Sequence, residues 1–249
     1  MQAGRTARLS AGLRSLLFYI IFYGGSLPLV AFSLAMLAVA PARFRAMADS
    51  WSAYHRLCVR YLLGIRIAVR GSLPAGPLLV ACKHESFFEA IDMPNLVANP
   101  AVFAKAELMS IPLWGRAASA YGLISVARED GAKTLRAMVS AARLLSANGR
   151  TLVIFPEGTR VPHGQEPALQ AGFAGLYKLL GLPVVPIAVE SGEIYHRRWK
   201  RPGVIHVVIG EAIPAGLPRA QIEFRVHAAI NALNRDQQDD APPKFTGAA

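Results

Sequence analysis

The sequence predicts an α/β fold with a mostly parallel sheet flanked by helices, preceded by an N-terminal hydrophobic helix or helical hairpin. After residue 64, short β-rich runs alternate with helical runs, as βαβ units do. Three of the β-rich runs, LLVAC, TLVIF and VVPIAV, are continuously apolar, as strands covered on both faces are. The third observation is a long uncharged stretch near the N-terminus. We therefore predict a helical segment over 1–64, an α/β domain over 65–236 and a disordered tail over 237–249.

The composition is both apolar and basic. The 249 residues include 27 Lys and Arg against 16 Asp and Glu, a net charge of +11, and 53% of them are hydrophobic but only 17% charged. A soluble domain has roughly 45–50% apolar and about 25% charged residues, so the chain is too apolar to be a disordered tail that coats nucleic acid. Cys58 and Cys82 belong to no CxxC pair, which excludes a disulfide framework and a zinc ribbon. This combination of apolar and basic residues favours contact with an anionic membrane surface.

Residues 16–42 contain no charged side chain, and Arg residues flank them on both sides. A helix needs about 20 apolar residues to span a bilayer, so this run is long enough. The helix-breaking cluster 24–28 (GGSLP) interrupts it and leaves two arms that are each too short to span. The run thus predicts either one kinked transmembrane helix or a hairpin that dips into one leaflet. Basic flanks at both ends favour the hairpin, because Lys and Arg concentrate on the cytoplasmic side.

The N-terminal segment could also be interpreted as a cleavable signal peptide. Residues 38–40 (AVA) match the A-x-A pattern of a signal-peptide cleavage site. However, the apolar stretch is longer than that of a signal peptide, and Pro41 directly follows the cleavage position. We therefore expect the segment to be retained as a membrane anchor.

Residues 43–64 predict a helix with interleaved aromatic and basic side chains. It is either a core-packing helix with a solvated basic face or an amphipathic helix at the membrane interface.

The α/β domain is assigned from apolar runs and from helix boundaries. The helix over 132–147 is bounded by Gly131 and by Asn148 and Gly149, which are typical start and stop signals. The predicted strands are 65–70, 77–83, 101–104, 123–127, 151–155, 184–189 and 204–209. The predicted helices are 87–97, 111–120, 132–147, 171–180 and 219–234.

The stretch KHESFFE at 83–89 directly follows a predicted strand. Ligand sites of open α/β sheets lie where strands end at the carboxyl edge, which places His84 there, and Ser86 can cap the next helix. Glu89 lies one turn into that helix, where its carboxylate can fold back onto one imidazole nitrogen and leave the other free to take a proton. Asp92 is a less favourably placed alternative. The zincin motif HExxH is excluded because Phe88 stands in place of its second His.

Three cations follow three other predicted strands. Arg160 ends the string FPEGTR at 155–160, Arg128 ends GLISVAR at 122–128, and Lys105 follows the strand 101–104. Arg can hold a phosphate with two parallel hydrogen bonds, and a Gly-Thr turn adds backbone and hydroxyl donors. Each cation alone is typical of a solvated surface, but together they favour a phosphate pocket. No His, Cys, Asp or Glu cluster in the sequence has metal-ligand spacing, so we predict no metal.

This ordered set of motifs resembles the glycerolipid acyltransferases, in particular the bacterial 1-acylglycerol-3-phosphate acyltransferases. The family's first motif, a His and an acidic residue five positions later, is similar to His84 and Glu89, with Glu in place of the commoner Asp. The second resembles 122–128, the third is matched residue for residue by 155–160, and the fourth, an apolar strand with a Pro, resembles 184–188. The resemblance covers about residues 83–192.

The resemblance implies transfer of an acyl chain from acyl-CoA or acyl-carrier protein to the sn-2 hydroxyl of 1-acylglycerol-3-phosphate, which gives phosphatidic acid. It implies that His84 is the general base and Glu89 its orienting partner. By the same resemblance Arg160, Arg128 and Lys105 would bind the substrate phosphate. The acceptor pocket would include Glu157, Gly158, Thr159 and Pro186.

The implied partners are anionic membrane lipids, a lysophospholipid acceptor and the thioester co-substrate, with no further cofactor and no nucleic acid. The implied location is the inner membrane, with the catalytic domain facing the cytoplasm. One alternative keeps the chemistry and changes the acceptor to another lysolipid, such as a lyso-ornithine lipid. A more distant alternative is a non-catalytic module that binds anionic membranes, which would leave the joint presence of His84, Glu89 and the 155–160 string unexplained.

Overall fold

The computed structural model describes residues 2–126 and 131–234. The predicted tail and the predicted phosphate ligand Arg128 lie outside these residues. The chain begins with two antiparallel helices, α1 (Gln2–Val39) and α2 (Pro41–Cys58), joined at Ala40, and a π-helical turn over Val59–Leu63 completes the second. Residues 9–39 of α1 are long and apolar enough to cross a membrane.

Of the two predicted arrangements, the hairpin that turns at 24–28 is wrong, because α1 runs through Pro28 as one helix. The glycines serve a different purpose. A side chain added at Gly25 would lie 2.2 Å from the Tyr54 hydroxyl, so glycine lets α1 and α2 pack closely there. That hydroxyl donates to the carbonyl of Ile21 at 2.5 Å, and Trp51 Nε1 donates to Ser26 Oγ at 2.9 Å. The hairpin turn therefore lies at Ala40 and not in the glycine cluster.

Helix α2 packs against both α1 and the α/β domain, as the core-packing interpretation of residues 43–64 expects. Ser52 Oγ donates to the carbonyl of Ile91 at 2.6 Å, and Arg56 forms an ion pair with the buried Asp92. His55 is fully buried beside Phe22 of α1. Since α2 touches both neighbours along much of its length, it attaches α1 firmly to the domain.

The domain contains a mostly parallel seven-stranded sheet in the order β1-β7-β6-β2-β5-β3-β4, which confirms the predicted fold class. Five neighbouring strands, β6, β2, β5, β3 and β4, run in one direction, and β7 and β1 form a parallel pair that runs in the opposite direction, with β7 antiparallel to β6. The strands are β1 (Ile65–Arg70), β2 (Leu79–Cys82), β3 (Pro100–Lys105), β4 (Ile124–Val126), β5 (Thr151–Ile154), β6 (Val184–Val189) and β7 (Gly203–Ile209).

Helices cover both faces of the sheet. One core holds side chains from α1, α2 and α3, and the other holds side chains from α6, α7 and α9, so strands β2 and β6 are buried on both sides. The remaining helices are α3 (Phe87–Leu96), α4 (Ala106–Met109), α5 (Trp114–Tyr121), α6 (Gly131–Ala147), α7 (Gly172–Leu180), α8 (Gly192–Tyr195) and α9 (Arg219–Ile230), with a 3-10 turn at Ala232–Asn234.

The parallel pairing sets the location of the site. Strands β2, β5, β3 and β4 are neighbours and run in the same direction, so their carboxyl ends meet at one edge of the sheet. His84 follows β2 and the FPEGTR string begins directly after β5 at this edge. This is the edge at which open α/β sheets bind their ligands.

Candidate active site

The His84 imidazole lies at the carboxyl end of β2 and is partly exposed. Its Nδ1 is 3.0 Å from Oε1 of Glu89, whose side chain is fully buried. The ring stacks on Phe155 of the FPEGTR string, with centroids 4.3 Å apart and planes inclined by 29°. Since Glu89 and Phe155 fix the ring, Nε2 is the nitrogen left to face a substrate.

The Glu89 carboxylate receives donors on both oxygens. Oε1 accepts from the backbone N–H groups of Glu85 and Ser86, and Oε2 accepts from the hydroxyls of Ser191 at 2.7 Å and Ser86 at 3.1 Å. Burial opposes ionisation, but hydrogen bonds from His84, Ser86 and Ser191 outweigh it and lower the pKa of Glu89. The carboxylate is therefore charged at neutral pH, as a group that orients an imidazole and stabilises an imidazolium must be.

The helix that carries Glu89 begins with the cap predicted for Ser86. Ser86 Oγ accepts from the Phe88 N–H at 3.0 Å, and the Ser86 N–H donates to Glu89, so cap and carboxylate satisfy each other as a capping box. Asp92, the alternative partner for His84, instead binds Arg56 and Asn95.

A second buried carboxylate, that of Glu157, supports the backbone of His84. Its Oε2 accepts the His84 N–H at 3.1 Å, and its Oε1 accepts from Lys83 Nζ at 2.7 Å. The ammonium also donates to the Asn231 side chain at 2.6 Å and to the carbonyl of Gln165 at 2.9 Å. Because both side chains are almost completely buried, this ion pair fixes β2 against β5 directly beneath His84.

The loop after the FPEGTR string is fastened to the His84 segment. The Val161 N–H donates to the carbonyl of His84 at 2.7 Å, and His163 Nδ1 lies 2.9 Å from Oε1 of the buried Glu85. The other Glu85 oxygen accepts the Gly192 N–H at 2.8 Å, so the same carboxylate also holds the start of α8. Three segments distant in sequence thus meet around His84.

The His163 contact predicts a pH-dependent stability. The hydrogen bond that His163 donates to the Glu85 carboxylate raises the pKa of His163, against the lowering effect of burial. A raised folded-state pKa stabilises the fold below the unfolded value of about 6.5 and ceases to do so as pH rises through the folded value. The Tm difference between wild type and His163→Gln should therefore be largest near pH 5.5 and shrink as the solution becomes alkaline.

Differential scanning calorimetry across this pH range measures that difference. The same comparison in a Glu85→Gln background is the control, since without the carboxylate the difference should lose its pH dependence. A difference that stays constant from acid to alkaline pH in the wild-type background would contradict the assignment.

The predicted phosphate-binding and pocket residues do not all lie beside His84. Arg160 is exposed, and its guanidinium lies 4.2 Å from the ring centroid of Phe87, at the start of the helix that carries Glu89. Thr159 is exposed beside it, and Gly158 takes the left-handed conformation (φ 67°) that closes the turn. Lys105 is exposed at the end of β3, two strands away from β2.

Pro186 differs from the other predicted pocket residues. It lies within β6, fully covered, in register with Ala81 of β2 and against Gly210. Its membership of the acceptor pocket stays a prediction. In the described ranges 2–126 and 131–234, no group of three or more His, Cys, Asp or Glu side chains is arranged to hold a metal ion.

Sequence reasoning missed several side chains that build the site. Ser191 contacts Glu89 from 102 positions away, and the Lys83 ammonium binds both Glu157 and Asn231, which is 148 positions from it. Only the position of Lys83 gave a signal, because a charged residue at the end of a fully buried strand requires a partner. Ser191 gave none, since nothing local indicates which strand ends neighbour each other.

The sheet, the His and carboxylate at its carboxyl edge and the adjoining FPEGTR turn define an acyltransferase-type α/β enzyme, and a family model described as Acyltransferase matches residues 66–190. The chain belongs to this acyltransferase family, which confirms the resemblance inferred from the motifs. It is 31% identical over 224 residues to the 1-acyl-sn-glycerol-3-phosphate acyltransferase of Pseudomonas aeruginosa, a match that covers 87% of each chain.

Two further comparisons extend this similarity. Human 1-acyl-sn-glycerol-3-phosphate acyltransferase alpha is 29% identical over 149 residues, which cover 58% of this chain and 53% of the human one. The crystal structure of the 1-acyl-sn-glycerophosphate acyltransferase PlsC from Thermotoga maritima superposes with a TM-score of 0.68 and 20% identity, over 98% of this chain and 100% of that one. The two proteins therefore share a fold that includes the N-terminal helices.

Proposed function

We propose that this enzyme transfers an acyl chain from a thioester, acyl-CoA or acyl-carrier protein, to the sn-2 hydroxyl of 1-acylglycerol-3-phosphate and so forms phosphatidic acid. The observation that carries the proposal is the His84 imidazole held by the buried Glu89 carboxylate, with Arg160 at the adjoining turn. The name of the Pseudomonas relative, which matches over most of both chains, supports the same substrate.

The side chains suit a single acyl transfer. Nε2 of His84 removes the proton of the acceptor hydroxyl as its oxygen attacks the thioester carbonyl. The carbonyl carbon gains the C–O bond and then loses its C–S bond, and the imidazolium returns the proton to the departing thiolate. Glu89 holds Nδ1–H throughout and stabilises the positive ring. No Ser or Cys nucleophile of the enzyme is required, because the acceptor hydroxyl is itself the nucleophile.

The test is a competition assay in which the purified enzyme receives acyl-CoA or acyl-carrier protein and an equimolar panel of lysolipids. The panel contains 1-acylglycerol-3-phosphate, lysophosphatidylcholine and a lyso-ornithine lipid. We expect phosphatidic acid to be the main product with at least one donor. Preferential acylation of the ornithine lipid would replace the proposed acceptor and leave the acyl-transfer chemistry in place.

Arg160→Gln is expected to raise the KM for 1-acylglycerol-3-phosphate by about 10–100-fold, because a charge-assisted hydrogen bond to phosphate contributes roughly 1.5–3 kcal/mol. The kcat should change much less, since the guanidinium is assigned to the phosphate and not to the reacting carbonyl. Initial rates at varied acceptor concentration measure both constants. Arg143→Gln on α6 is a matched control with an exposed Arg on the other face of the sheet. An unchanged acceptor KM would remove Arg160 from the phosphate site.

We further propose that α1 is buried in one leaflet and does not span the bilayer. Helix α1 contacts α2 at Phe22 and Ser26, and α2 in turn contacts the α/β domain through Ser52. A spanning α1 would have to draw the polar groups of α2 and the domain into the hydrocarbon or lose these contacts. The membrane is proposed to be the inner membrane, with the catalytic domain on the cytoplasmic side, where acyl-CoA and acyl-carrier protein are found.

Cysteine labelling tests this topology. In separate Arg5→Cys and Arg45→Cys variants, we expect a membrane-impermeant maleimide to label both positions from the same side of sealed inverted vesicles. The two native cysteines, Cys58 and Cys82, are buried and serve as an internal control for folding. Labelling of the two positions from opposite sides would establish a spanning helix.

A further inference from the structure

Residues 196–201 (HRRWKR) form an exposed, strongly basic segment, here named the basic loop. Arg197, Arg198 and Arg201 are exposed, and none of them forms an ion pair with any acidic side chain of the described residues. Trp199 is 48% exposed, and the Arg198 guanidinium lies 5.2 Å from its ring centroid. Neighbouring uncompensated cations beside an exposed indole are suited to the anionic, half-apolar boundary of a membrane.

A buried lysine holds this loop in one shape. Lys200 Nζ donates to the carbonyls of Tyr195 at 2.9 Å and Arg197 at 3.3 Å, and it lies 3.9 Å from the Tyr195 ring centroid. Burial lowers the pKa of Lys200 to about 8. Because the only charge that points inward is satisfied by carbonyls and an aromatic face, the three arginines are left to point outward from a fixed backbone.

The basic loop lies against α1 at the position where that helix becomes apolar. The Lys200 N–H donates to Ser15 Oγ at 2.8 Å, and the Tyr19 hydroxyl donates to the carbonyl of Arg198 at 2.6 Å. The uncharged run of α1 begins with Leu16, between these two contacts. The cations are therefore level with the start of the apolar surface, where headgroups would meet an inserted helix.

An apolar stripe extends along α1 from this point. Its members recur at helical spacing and are 49–75% exposed, namely Leu16, Ile20, Tyr23 and Leu27. They adjoin a shallow groove of about 590 Å³ that runs from Tyr19 to Leu34. A soluble surface rarely exposes such a continuous stripe, and its length suits an acyl chain laid along the helix.

The basic loop also lies on the active-site edge of the sheet. Strand β6 ends there, Ser191 directly afterwards donates to Glu89, and only the short α8 separates Ser191 from the loop. A bilayer seated on the loop and the stripe would meet the protein at the edge that carries His84. An acceptor lipid would then reach the site without leaving the interface.

We propose that the basic loop and the apolar stripe together bind anionic phospholipids of the bilayer, with phosphates at Arg197, Arg198 and Arg201 and acyl chains along α1. This surface is separate from the Arg160 turn that is assigned to the substrate. The inference rests on the proposed membrane association but not on the acyl-transfer chemistry. Charge complementarity selects anionic headgroups over zwitterionic ones.

The test compares flotation of the full chain with vesicles of phosphatidylcholine alone and of phosphatidylcholine mixed with phosphatidylglycerol. Wild type should prefer the mixed vesicles, and Arg197→Gln/Arg198→Gln/Arg201→Gln should bind them on the order of 100-fold more weakly, at roughly fivefold for each cation. The matched control, Arg136→Gln/Arg143→Gln/Arg225→Gln, removes equal charge from exposed positions of α6 and α9 and should keep the preference.

Two outcomes would overturn the proposal: an unchanged preference in the loop variant, or an equal loss in the control, which would mean that only net charge matters. Acyl transfer by the loop variant in detergent micelles should remain near wild type, and this readout separates failure of the lipid site from failure of the enzyme assignment. A fluorophore on Trp199→Cys should shift to the blue on mixed vesicles. The native cysteines are buried, so the label is selective, and no shift would remove the loop from the interface.

Discussion

His84→Ala is expected to lower kcat for acyl transfer by about 10²–10⁴-fold, the range that general acid–base catalysis contributes. In the proposed mechanism the imidazole takes the proton of the attacking hydroxyl, so the variant lacks the proposed base. Glu89→Gln should cause a loss of similar order, because a neutral amide neither fixes the Nδ1–H tautomer nor stabilises the imidazolium. Initial rates of the purified variants at saturating acceptor and donor measure these losses.

The control for this pair is His206→Ala, which removes a half-exposed histidine on β7 that contacts Glu190 instead of the site. It should retain transfer close to wild type, and all three variants should still associate with vesicles, since α1 and the basic loop are unchanged. If purified and folded His84→Ala retained near wild-type transfer, the assignment of the general base would be wrong.

Lys83→Met is expected to destabilise the fold by about 3–5 kcal/mol, because it leaves the buried carboxylate of Glu157 without its partner. For a chain of this size, that corresponds to a Tm lower by roughly 6–20 °C. Thermal unfolding followed by circular dichroism measures the change. Lys178→Met on α7 removes an exposed lysine instead, and surface substitutions of that kind usually stay within about 0.5 kcal/mol.

A double-mutant cycle separates the ion pair from other effects of these changes. In Lys83→Met/Glu157→Gln, the loss should be clearly smaller than the sum of the two single losses, because the second change removes the charge that the first left unpaired. Strictly additive losses, or a Lys83→Met variant as stable as wild type, would show that this pair does not hold β2 and β5 together.

The sequence carried most of the information on the fold and on the first contact of the site. Apolar runs and turn residues located the seven strands, and the runs were clearest at β2 and β6, which are buried on both faces and carry no polar alternation. The approach of Glu89 to His84 follows from a cap and one helical turn, so local spacing was enough to expect it.

What the sequence did not reveal depends on contacts between distant segments. A glycine such as Gly25 can mark either a helix break or a place where two helices pack closely, and the neighbouring sequence is the same in both cases. The contact with Tyr54 of α2 shows that Gly25 is a close-packing position. The reversed direction of β1 and β7 and the meeting of Ser191 with Glu89 depend on how the strands pair, which apolar patterns do not encode. In the sequence, the cations of the basic loop are only part of the net charge. Their position beside Ser15 of α1 is a contact between distant segments.

The most direct test of the proposed function is mass spectrometry of the product formed by the wild-type enzyme from isotopically labelled acyl-CoA and 1-acylglycerol-3-phosphate. Labelled acyl-carrier protein serves as the parallel donor. The proposed reaction yields phosphatidic acid that carries the labelled chain at the sn-2 position, with one thiol released for each ester formed. Release of the label only as free fatty acid, or its absence from any glycerophosphate ester with both donors, would contradict it.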